Sequence, residues 1–412
     1  MDEFKKEELM DKIAHALDIT PQMYNESQKF VRGLEAYLRN QIPSLQVYKQ
    51  GSFRLGTIIR PFKKDKDGEF DIDLVVQFSV GKNATSPSQI KQTLRNCLTS
   101  QNYRIFLEEE KRRCWTLDHK SGSSSFHVDL LPCVDESSDV KNTIVPTSFK
   151  DTAIAITEII DKDVKPYRYK WMTSNPKGYA KWFDNINYGV YKEIKAHDRE
   201  RIFKENPTLF ESVNMVGDDF TRSPLQKVIQ ILKRHRDVMY CNNQENAPIS
   251  IIITTLVGKI VEENNTEIIN NTYTLLNFVL EGLSHYAKLT TSGITSDFDA
   301  DFNNKKLITK KTQNGKVYWS IKNPANSQEN LAEKWNESPE KAIEFFKWVR
   351  KVKEDLIDIL DLDKYTIIEK LKFCLGESIS NHIFEHFSFD SAKNAQTKIL
   401  NFNQNTPKPY RI

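Results

Sequence analysis

Two aspartates interrupt a segment that otherwise has the pattern of a buried β-strand, the sequence FDIDLVV at residues 70–76. Side chains two residues apart lie on the same face of a strand, so Asp71 and Asp73 share one face and the apolar residues around them point to the other. Two carboxylates on one face repel each other unless something cationic lies between them. The segment therefore predicts a strand with one face in the core and one face beside a cation.

A second segment, SSFHVDLLP at residues 124–132, has the same alternation of apolar and polar residues. Asp129 shares a face with His127, and a neighbouring strand would bring this third carboxylate beside Asp71 and Asp73. Mg²⁺ prefers hard oxygen ligands and often completes its shell with substrate phosphates, so three carboxylates favour metal-dependent phosphoryl or nucleotidyl transfer. The alternative for any single D-x-D is a solvated strand edge or a salt-bridged pair.

Gly51 and Ser52 follow a strand-like segment, LQVYKQ at residues 45–50. A Gly-Ser turn allows close backbone approach, exposes N–H groups and adds a hydroxyl, which suits a bound triphosphate. The dipeptide alone is poor evidence. Gly-Ser, then D-x-D, then a lone aspartate on a later strand form a much more specific order.

Hydrophobic periodicity divides the chain into two halves. Residues 21–42 have apolar side chains at helical spacing behind Pro21, and short strand-like segments follow between charged and turn-forming residues. From about Arg222 the period is helical, in SPLQKVIQILKRHRDVMY, SIIITTLVGKIV and ENLAEKWNESPEKAIEFFKWVRKVKEDLIDIL. The first half is predicted to be a mixed α/β lobe and the second to be mostly helical.

The composition is that of a folded soluble protein, with 39% hydrophobic and 28% charged residues. The formal net charge of +3 is too small to predict a polyanion partner by itself. Five cysteines without a C-x-x-C pair indicate a reducing compartment and suggest no zinc site. The N-terminus lacks the apolar core of a signal peptide, and no apolar run is long enough to span a bilayer. A cytoplasmic protein without a membrane partner is therefore predicted.

In this order, the segments resemble the nucleotidyltransferases of the DNA polymerase β type. Within that superfamily they are similar to the bacterial cyclic-oligonucleotide synthases called CD-NTases, which are cGAS/DncV-like. The resemblance covers most of the chain from about Gln50 to Trp348, and the full set is specific although each piece is not. The matching pieces are QGSFRLGT, EFDIDLVV, FHVDLLP, SNPKGYAKWF, SPLQKVIQILKRHRD, PISIIITTL and WSIKNPANSQENLAEKW.

The resemblance implies an α+β fold in two lobes. The first is a polymerase β-like nucleotidyltransferase core with a mixed or antiparallel sheet, and the second is a C-terminal helical lobe, with the active site in the cleft between them. The predicted division is a core with N-terminal helices at 1–215, the helical lobe at 216–390 and a mobile tail at 391–412.

The resemblance also implies roles for individual residues. Asp71, Asp73 and Asp129 form a catalytic triad that binds two Mg²⁺ ions, for which Mn²⁺ can substitute. Asp129 serves the ion that activates the attacking ribose hydroxyl, whereas Asp71 and Asp73 hold the ion that bridges the donor phosphates. Five further residues are implied as nucleotide contacts: Gln50, Gly51, Ser52, Lys233 and Ser250.

The helix predicted at SPLQKVIQILKRHRD has an apolar stripe and a polar face. Gln226, Gln230, Lys233 and Asp237 form the polar face, so Lys233 is predicted to be free to reach a cleft. The alternative is a solvated helix face with a weak Lys233–Asp237 pair. The helix and the residues before it also predict a local basic surface, formed by Arg222, Lys227, Lys233, Arg234 and Arg236.

Two other groups have two interpretations each. His127 lies either behind the metal ligands or in ordinary strand packing. Tyr179, Trp182 and Phe183 either stack on a base or join the two lobes as core.

The leading hypothesis from the resemblance is a bacterial enzyme that joins two or three purine nucleoside triphosphates, ATP, GTP or both, into a cyclic second messenger. The product would act on a separate effector protein in antiphage (CBASS) defence. Without a zinc-binding insertion or a broad basic surface, a DNA or RNA activator is not predicted, whereas a regulatory partner protein stays open. Two alternatives remain. One is a transferase with linear products, either an oligoadenylate synthase or an enzyme that tags RNA or protein, and the other is a catalytically idle nucleotide or nucleic-acid sensor.

Overall fold

The structure is a computed structural model of the chain. It describes residues 1–63, 66–99, 103–121, 124–187, 191–210, 212, 215, 217–264, 271–287, 307–385 and 387–389. The predicted mobile tail at 391–412 lies outside the described residues.

Two helices lead into the fold. Helix α1 spans Glu3–Leu17 and helix α2 spans Pro21–Gln41. Asp2 and Thr20 cap them, because each side chain accepts a hydrogen bond from the backbone N–H three residues later. The helix predicted at residues 21–42 is confirmed.

A mixed sheet of six strands forms the centre of the first half. Together with a small hairpin, the strands are β1 (Gln46–Gln50), β2 (Phe62–Lys63), β3 (Lys66–Asp67), β4 (Phe70–Gly81), β5 (Trp115–Ser121), β6 (Ser124–Asp135), β7 (Ile154–Ile159) and β8 (Tyr169–Ser174). The order in the sheet is β1-β4-β6-β7-β8, with β5 paired to β6, and β2 pairs with β3. Strands β4 and β6 are parallel, and the other pairs are antiparallel. The predicted mixed sheet is confirmed.

Five helices accompany the sheet: α3 (Gly51–Leu55), α4 (Pro87–Leu98), α5 (Ser138–Lys141), α6 (Pro176–Asn187) and α7 (Tyr191–Glu205). Helices α2 and α4 cover one face of the sheet, where Leu34 of α2, Ile72 of β4 and Leu94 of α4 are fully buried in one cluster. This face carries the apolar residues that alternate with Asp71 and Asp73. The two aspartates therefore lie on the opposite face of the sheet.

The second half is mostly helical, as predicted. Its helices are α8 (Pro224–Met239), α9 (Ser250–Glu263), α10 (Thr272–Ala287), α11 (Glu333–Glu337), α12 (Glu340–Leu356), α13 (Lys364–Leu375) and α14 (Glu377–Glu385). None of the described helices is both long enough and apolar enough to cross a membrane.

Two β-hairpins in the second half were not predicted. They consist of β9 (Thr309–Gln313) with β10 (Lys316–Ser320) and β11 (Lys322–Asn323) with β12 (Asn326–Asn330). Asn314 and Gly315 join the first pair with positive φ angles of 51° and 73°, and an Asn-Gly pair is a strong hairpin signal. The helical period predicted to start at Glu329 is wrong for its first residues, because Glu329 and Asn330 belong to β12.

Helix α1 packs with the helices of the second half, although it precedes the sheet in sequence. Leu9, Ile13 and Leu17 are buried in the cluster that contains the cores of α8, α10 and α12. The predicted division at residues 215 and 216 stays a prediction.

Helix α8 is buried from residue 224 to residue 235, so the predicted basic surface is wrong. Its members are the buried Arg222, Lys227, Lys233 and Arg234, together with Arg236, which pairs with Asp237 at 2.6 Å. Helix α1 and the residue after it supply counter-charges: Asp18 lies 2.9 Å from Arg222 Nε, and Asp11 lies 3.2 Å from Lys227 Nζ. Arg222 and Lys227 were predicted to lie on a basic surface. They instead stabilise the contact of α1 with α8.

Replacing Arg222 by alanine is expected to lower the free energy of unfolding by about 3 kcal/mol, because the Asp18 carboxylate stays buried without its partner. Denaturation in urea measures the change. Lys347→Ala is the control, since the Lys347 side chain is 48% exposed and its pair with Glu344 is worth less than about 1 kcal/mol. An Arg222→Ala protein as stable as the Lys347→Ala protein would contradict the interpretation.

Candidate active site

Strands β4 and β6 bring the predicted carboxylates together. In the parallel register Asp73 lies directly opposite Asp129, and Asp71 lies opposite His127. Burial alternates along both strands: Phe70, Ile72 and Leu74 are buried, whereas the aspartates are partly or fully exposed, and β6 shows the same alternation around Asp129. The predicted sharing of one face is confirmed.

The Asp73 carboxyl is the most perturbed of the three. Burial, together with the neighbouring charges of Asp129 and Asp71, raises the pKa of Asp73 to about 7. Like charges are thus concentrated at this point of the sheet, and a bound cation would relieve their repulsion.

Gly51 lies against Asp73. It follows β1, in which Gln50 is paired with Asp73 across the antiparallel β1/β4 register. Gly51 has a φ of +61°, and a Cβ added to it would overlap Asp73 Oδ2 and lie 2.9 Å from Asp73 Cγ. Gly51 and Ser52 are the first two residues of the short helix α3 rather than a simple turn. The structure therefore requires glycine at position 51, where the backbone passes the Asp73 carboxylate.

Two residues that were not predicted contact Asp129. The Thr116 hydroxyl donates a hydrogen bond to Asp129 Oδ1, and Thr116 lies directly opposite Asp129 in the β5/β6 register. Lys111 Nζ lies 3.5 Å from the same oxygen. Lys111 and Thr116 precede the FHVDLLP motif in sequence. The β5/β6 pairing brings them to Asp129, and the hydrophobic periodicity of the sequence does not predict that pairing.

His127 contacts Asp71 on one side and two further carboxylates on the other. Its Nδ1 lies 3.4 Å from Asp71 Oδ1, and its Nε2 lies 3.2 Å from Glu69 Oε2 and 3.5 Å from Asp118 Oδ1. The hydrogen bond with Asp71 raises the pKa of His127, against the effect of its partial burial. Of the two interpretations, a group behind the predicted ligands fits these contacts. Glu69, Asp118 and His127 also lie close enough together to hold a metal ion.

A cavity of about 380 Å³ lies beside the triad, between the sheet and the second half of the chain. Asp73 and Asp129 line it from the sheet, Gln50 and Gly51 from the β1–α3 junction, and Tyr179 from α6. The second half contributes four lining residues: Ile251, Asn323, Glu329 and Leu331. The predicted position of the active site, in a cleft between two lobes, agrees with this cavity.

Lys233 does not lie on an open helix face. It is only 4% exposed, and its Nζ donates hydrogen bonds to the Thr57 carbonyl (2.9 Å) and hydroxyl (3.3 Å). The freedom predicted for Lys233 is wrong because the last residue of α3 and the segment after it, residues 55–60, cover this face of α8. A phosphate contact by Lys233 stays a prediction.

Lys233 gives the protein a measurable pH dependence. Burial and the nearby Arg236 lower the pKa of Lys233 to about 7, against 10.5 in the unfolded chain. Between these values the unfolded chain binds a proton that the folded protein lacks, so the free energy of unfolding rises with pH. We expect the stability of the wild type relative to Lys233→Met to increase from pH 7 to pH 10 in urea denaturation. A difference that stays constant over this range would contradict the lowered pKa, and the exposed Lys347→Met serves as the control.

Other predicted residues lie farther from the triad. The Ser250 hydroxyl is 3.3 Å from Arg236 Nη2, and Ser250 is not among the described residues that line the cavity. Trp182 and Phe183 are buried in the large core cluster, so they join the lobes. Tyr179 is also buried there and donates to or accepts from the Thr255 hydroxyl at 2.8 Å, although one side of it lines the cavity.

Comparison with known proteins agrees with this geometry. Residues 45–132, which contain β1, β4 and most of β6, match the family model of the nucleotidyltransferase domain of DncV-like cyclic GMP-AMP synthases. The chain is 26% identical over 317 residues to the c-di-GMP synthase of Roseivirga ehrenbergii, which covers 76% of this chain and 68% of that protein. In sequence, the chain is therefore similar to the CD-NTases. The chain is accordingly an enzyme, a nucleotidyltransferase.

Other relatives extend the comparison. The chain is 22% identical over 215 residues to the cyclic dinucleotide synthase CdnG of Bradyrhizobium diazoefficiens, which covers 51% of this chain but only 47% of that protein. The solved structure of B. diazoefficiens CdnG with GTP has the same fold, with a TM-score of 0.67 over 93% of this chain and 98% of that one at 15% identity. CdnC of E. coli MS115-1, solved in a complex with HORMA, has a TM-score of 0.52 over 90% of this chain and 97% of that one at 14% identity. The predicted α+β nucleotidyltransferase fold is confirmed.

Proposed function

We propose that this protein condenses two or three purine nucleoside triphosphates into a cyclic oligonucleotide. In each step a ribose hydroxyl oxygen bonds to an α-phosphorus, the bond to the bridging oxygen breaks, and pyrophosphate leaves. The observation that carries the proposal is the pairing of Asp73 with Asp129 across β4 and β6, beside a cavity between the two lobes.

The donor set fits divalent cations. Asp71, Asp73 and Asp129 offer hard oxygen ligands, and Mg²⁺, or Mn²⁺ in its place, would be held by these three side chains. The raised pKa of Asp73 and the approach of Lys111 Nζ to Asp129 both indicate a place where positive charge is favoured. When bound, two such ions lower the pKa of the attacking hydroxyl and neutralise charge on the leaving pyrophosphate.

The residues of this chain have separate tasks in the proposal. Thr116 and Lys111 fix Asp129 through Oδ1, and His127 fixes Asp71 through Nδ1. Gln50, Gly51 and Ser52 form the junction of β1 and α3, where backbone without side-chain bulk can approach a triphosphate. Lys233 stabilises the segment after this junction, because its Nζ donates a hydrogen bond to the Thr57 carbonyl.

The named relatives support purine substrates and a cyclic product. One is a c-di-GMP synthase, one is a cyclic dinucleotide synthase, and the structure of one CD-NTase contains GTP. We extend the proposal to ATP or GTP as substrates, to a second messenger that acts on a separate effector in antiphage (CBASS) signalling, and to a cytoplasmic location. The complex of CdnC with HORMA motivates a search for a regulatory partner protein.

One incubation tests the reaction. The protein is mixed with the four nucleoside triphosphates and Mg²⁺, and the products are treated with phosphatase and identified by mass spectrometry. Phosphatase-resistant cyclic products that disappear on chelation of the metal are expected. Pyrophosphate release with phosphatase-sensitive products would instead support a linear-product transferase, and no pyrophosphate release with retained nucleotide binding would support an idle sensor.

A further inference from the structure

Lys111 places a positive charge beside one of the three predicted metal ligands. Its Nζ lies 3.5 Å from Asp129 Oδ1 and 3.8 Å from Glu108 Oε2, and its side chain is 46% exposed. The same oxygen of Asp129 accepts the hydrogen bond of the Thr116 hydroxyl. Because a lysine is protonated at neutral pH, Asp129 has a counter-charge that belongs to the protein itself.

The segment that carries Lys111 is neither helix nor strand, yet the fold holds its backbone in place. On one side, Lys91 Nζ of α4 donates a hydrogen bond to the Lys111 carbonyl at 3.0 Å. Within the segment, the Lys111 N–H donates to the Cys114 carbonyl at 3.2 Å. Two residues after Lys111, the Arg113 side chain pairs with the buried Glu158 at 2.8 Å. The backbone from which the Lys111 side chain extends is therefore fixed.

Lys91 is an unusual residue to hold such a segment. Its side chain is fully buried, and lysine is almost never fully buried unless it is paired. Besides the Lys111 carbonyl, its ammonium has Glu110 Oε1 at 3.7 Å, which belongs to the same segment. Burial lowers the pKa of Lys91 to about 8, so its charge is held at a cost to the fold. Such a cost favours a functional reason for the position of Lys111.

A divalent ion bound to Asp129 would share this carboxylate with the Lys111 ammonium. The carboxylate carries one negative charge, and Lys111 neutralises part of it. Like charges that are held close together repel each other even in water, and they repel more strongly near a protein surface. Lys111 therefore has two opposite effects on Asp129: it fixes the orientation of the carboxylate, and it weakens the attraction of the carboxylate for an ion.

We propose that Lys111 is a built-in counter-ion of Asp129, which weakens metal binding at this carboxylate and sets the ion concentration at which the site fills. Lys111 acts through Asp129, so it is a positioning residue and not a metal ligand. The inference rests on the proposed function, because it takes Asp129 as a ligand of the divalent ion.

Binding of Mn²⁺ to the full chain without nucleotide tests the proposal without turnover. Free Mn²⁺ is measured by electron paramagnetic resonance. Lys111→Met removes the charge and keeps a side chain of similar length. We expect this variant to bind Mn²⁺ about 10-fold more tightly than the wild type, because a unit charge close to the divalent ion is lost. If Lys111 only held Asp129 in place, its loss would weaken the binding instead.

Two further variants separate the charge from other effects. Lys111→Arg keeps the positive charge and is expected to bind Mn²⁺ within about twofold of the wild type. Lys120→Met is the matched control, because Lys120 also belongs to the sheet and pairs with Asp118 at 2.6 Å, but its side chain is 65% exposed. It changes the net charge by the same amount and is expected to alter Mn²⁺ binding by less than about twofold.

Activity provides a second readout. The Mg²⁺ concentration that gives half-maximal pyrophosphate release is expected to be lower for Lys111→Met than for the wild type. The corresponding concentrations for Lys111→Arg and Lys120→Met are expected to stay near the wild-type value.

Two results would overturn the inference. One is a Lys111→Met protein that binds Mn²⁺ no more tightly than the wild type. The other is a Lys120→Met protein that gains as much affinity as Lys111→Met, because the effect would then come from net charge alone. The proposed function fails separately, if no nucleoside triphosphate yields pyrophosphate. A protein that shows the Lys111 effect on Mn²⁺ binding yet makes no pyrophosphate keeps the counter-ion and loses only the reaction.

Discussion

Asp73→Asn is expected to reduce pyrophosphate release by about 1,000-fold or more while making the protein more stable. Activity falls because the carboxylate that lies opposite Asp129 and against Gly51 is lost as a metal ligand. Stability rises because the substitution removes a partly buried negative charge that repels Asp71 and Asp129. Initial rates with Mg²⁺ and thermal unfolding without Mg²⁺ measure the two effects.

The sign of the stability effect depends on pH. The pKa of Asp73 is raised from 3.8 to about 7 in the folded protein, so the unfolded chain releases its proton first. The wild-type free energy of unfolding therefore falls as pH rises from about 4 to about 7, and the variant lacks this loss. At pH 8 without Mg²⁺, the variant is expected to be more stable by about 2 kcal/mol. At pH 4 the difference should nearly vanish.

Asp135→Asn is the matched control for Asp73→Asn. Asp135 ends β6, pairs with Lys141 at 2.8 Å and does not line the cleft cavity as the described residues form it. This variant is expected to keep activity within about twofold of the wild type and to show no gain in stability. An Asp73→Asn protein with more than a tenth of wild-type activity would contradict the assignment of Asp73 as a metal ligand.

Gly51→Ala is expected to lower activity by about 100-fold and the free energy of unfolding by about 2 to 4 kcal/mol. The added methyl group would overlap Asp73 Oδ2, and the positive φ of Gly51 adds backbone strain of about 1 to 2 kcal/mol. Asp73 must then rotate away from Asp129 or the β1–α3 junction must shift, and either change moves the triphosphate site relative to the carboxylates. Steady-state kinetics and urea denaturation test both effects.

Gly315→Ala separates the overlap from the strain. Gly315 has a φ of +73°, but a Cβ added there would meet nothing within 4 Å. It lies in the β9–β10 hairpin and is expected to lose about 1 kcal/mol of stability and no activity. If Gly51→Ala and Gly315→Ala changed activity and stability by the same amounts, the close approach of Gly51 to Asp73 would not matter for activity.

Local alternation in the sequence was sufficient to predict which face of the sheet carries the three carboxylates. FDIDLVV and FHVDLLP each encode which side chains share a face, because the period of a strand is two wherever it lies in the sheet. One further assumption, that the two strands pair, was enough to predict that Asp73 and Asp129 are neighbours. The structure contains this pairing, between β4 and β6.

Contacts between distant segments could not be predicted in this way. Thr116 reaches Asp129 through the β5/β6 pairing, and Glu329 reaches the cleft from the β11/β12 hairpin, which the helical period did not predict. Helix α8 was the clearest error. Its polar face was assigned to a cleft or to solvent, because periodicity identifies which residues differ from the apolar stripe but does not identify what covers them.

What covers that face is the C-terminal end of α3 and the irregular backbone that follows it. Gln226 donates to the Leu55 carbonyl at 2.8 Å, Gln230 to the Ile58 carbonyl at 2.8 Å and Lys233 to the Thr57 carbonyl at 2.9 Å. The same stretch continues directly from Gly51 and Ser52. Any sliding of α8 along its axis must therefore break these hydrogen bonds or move the β1–α3 junction with it. The position of α8 and the position of Gly51 against Asp73 are thus mechanically coupled.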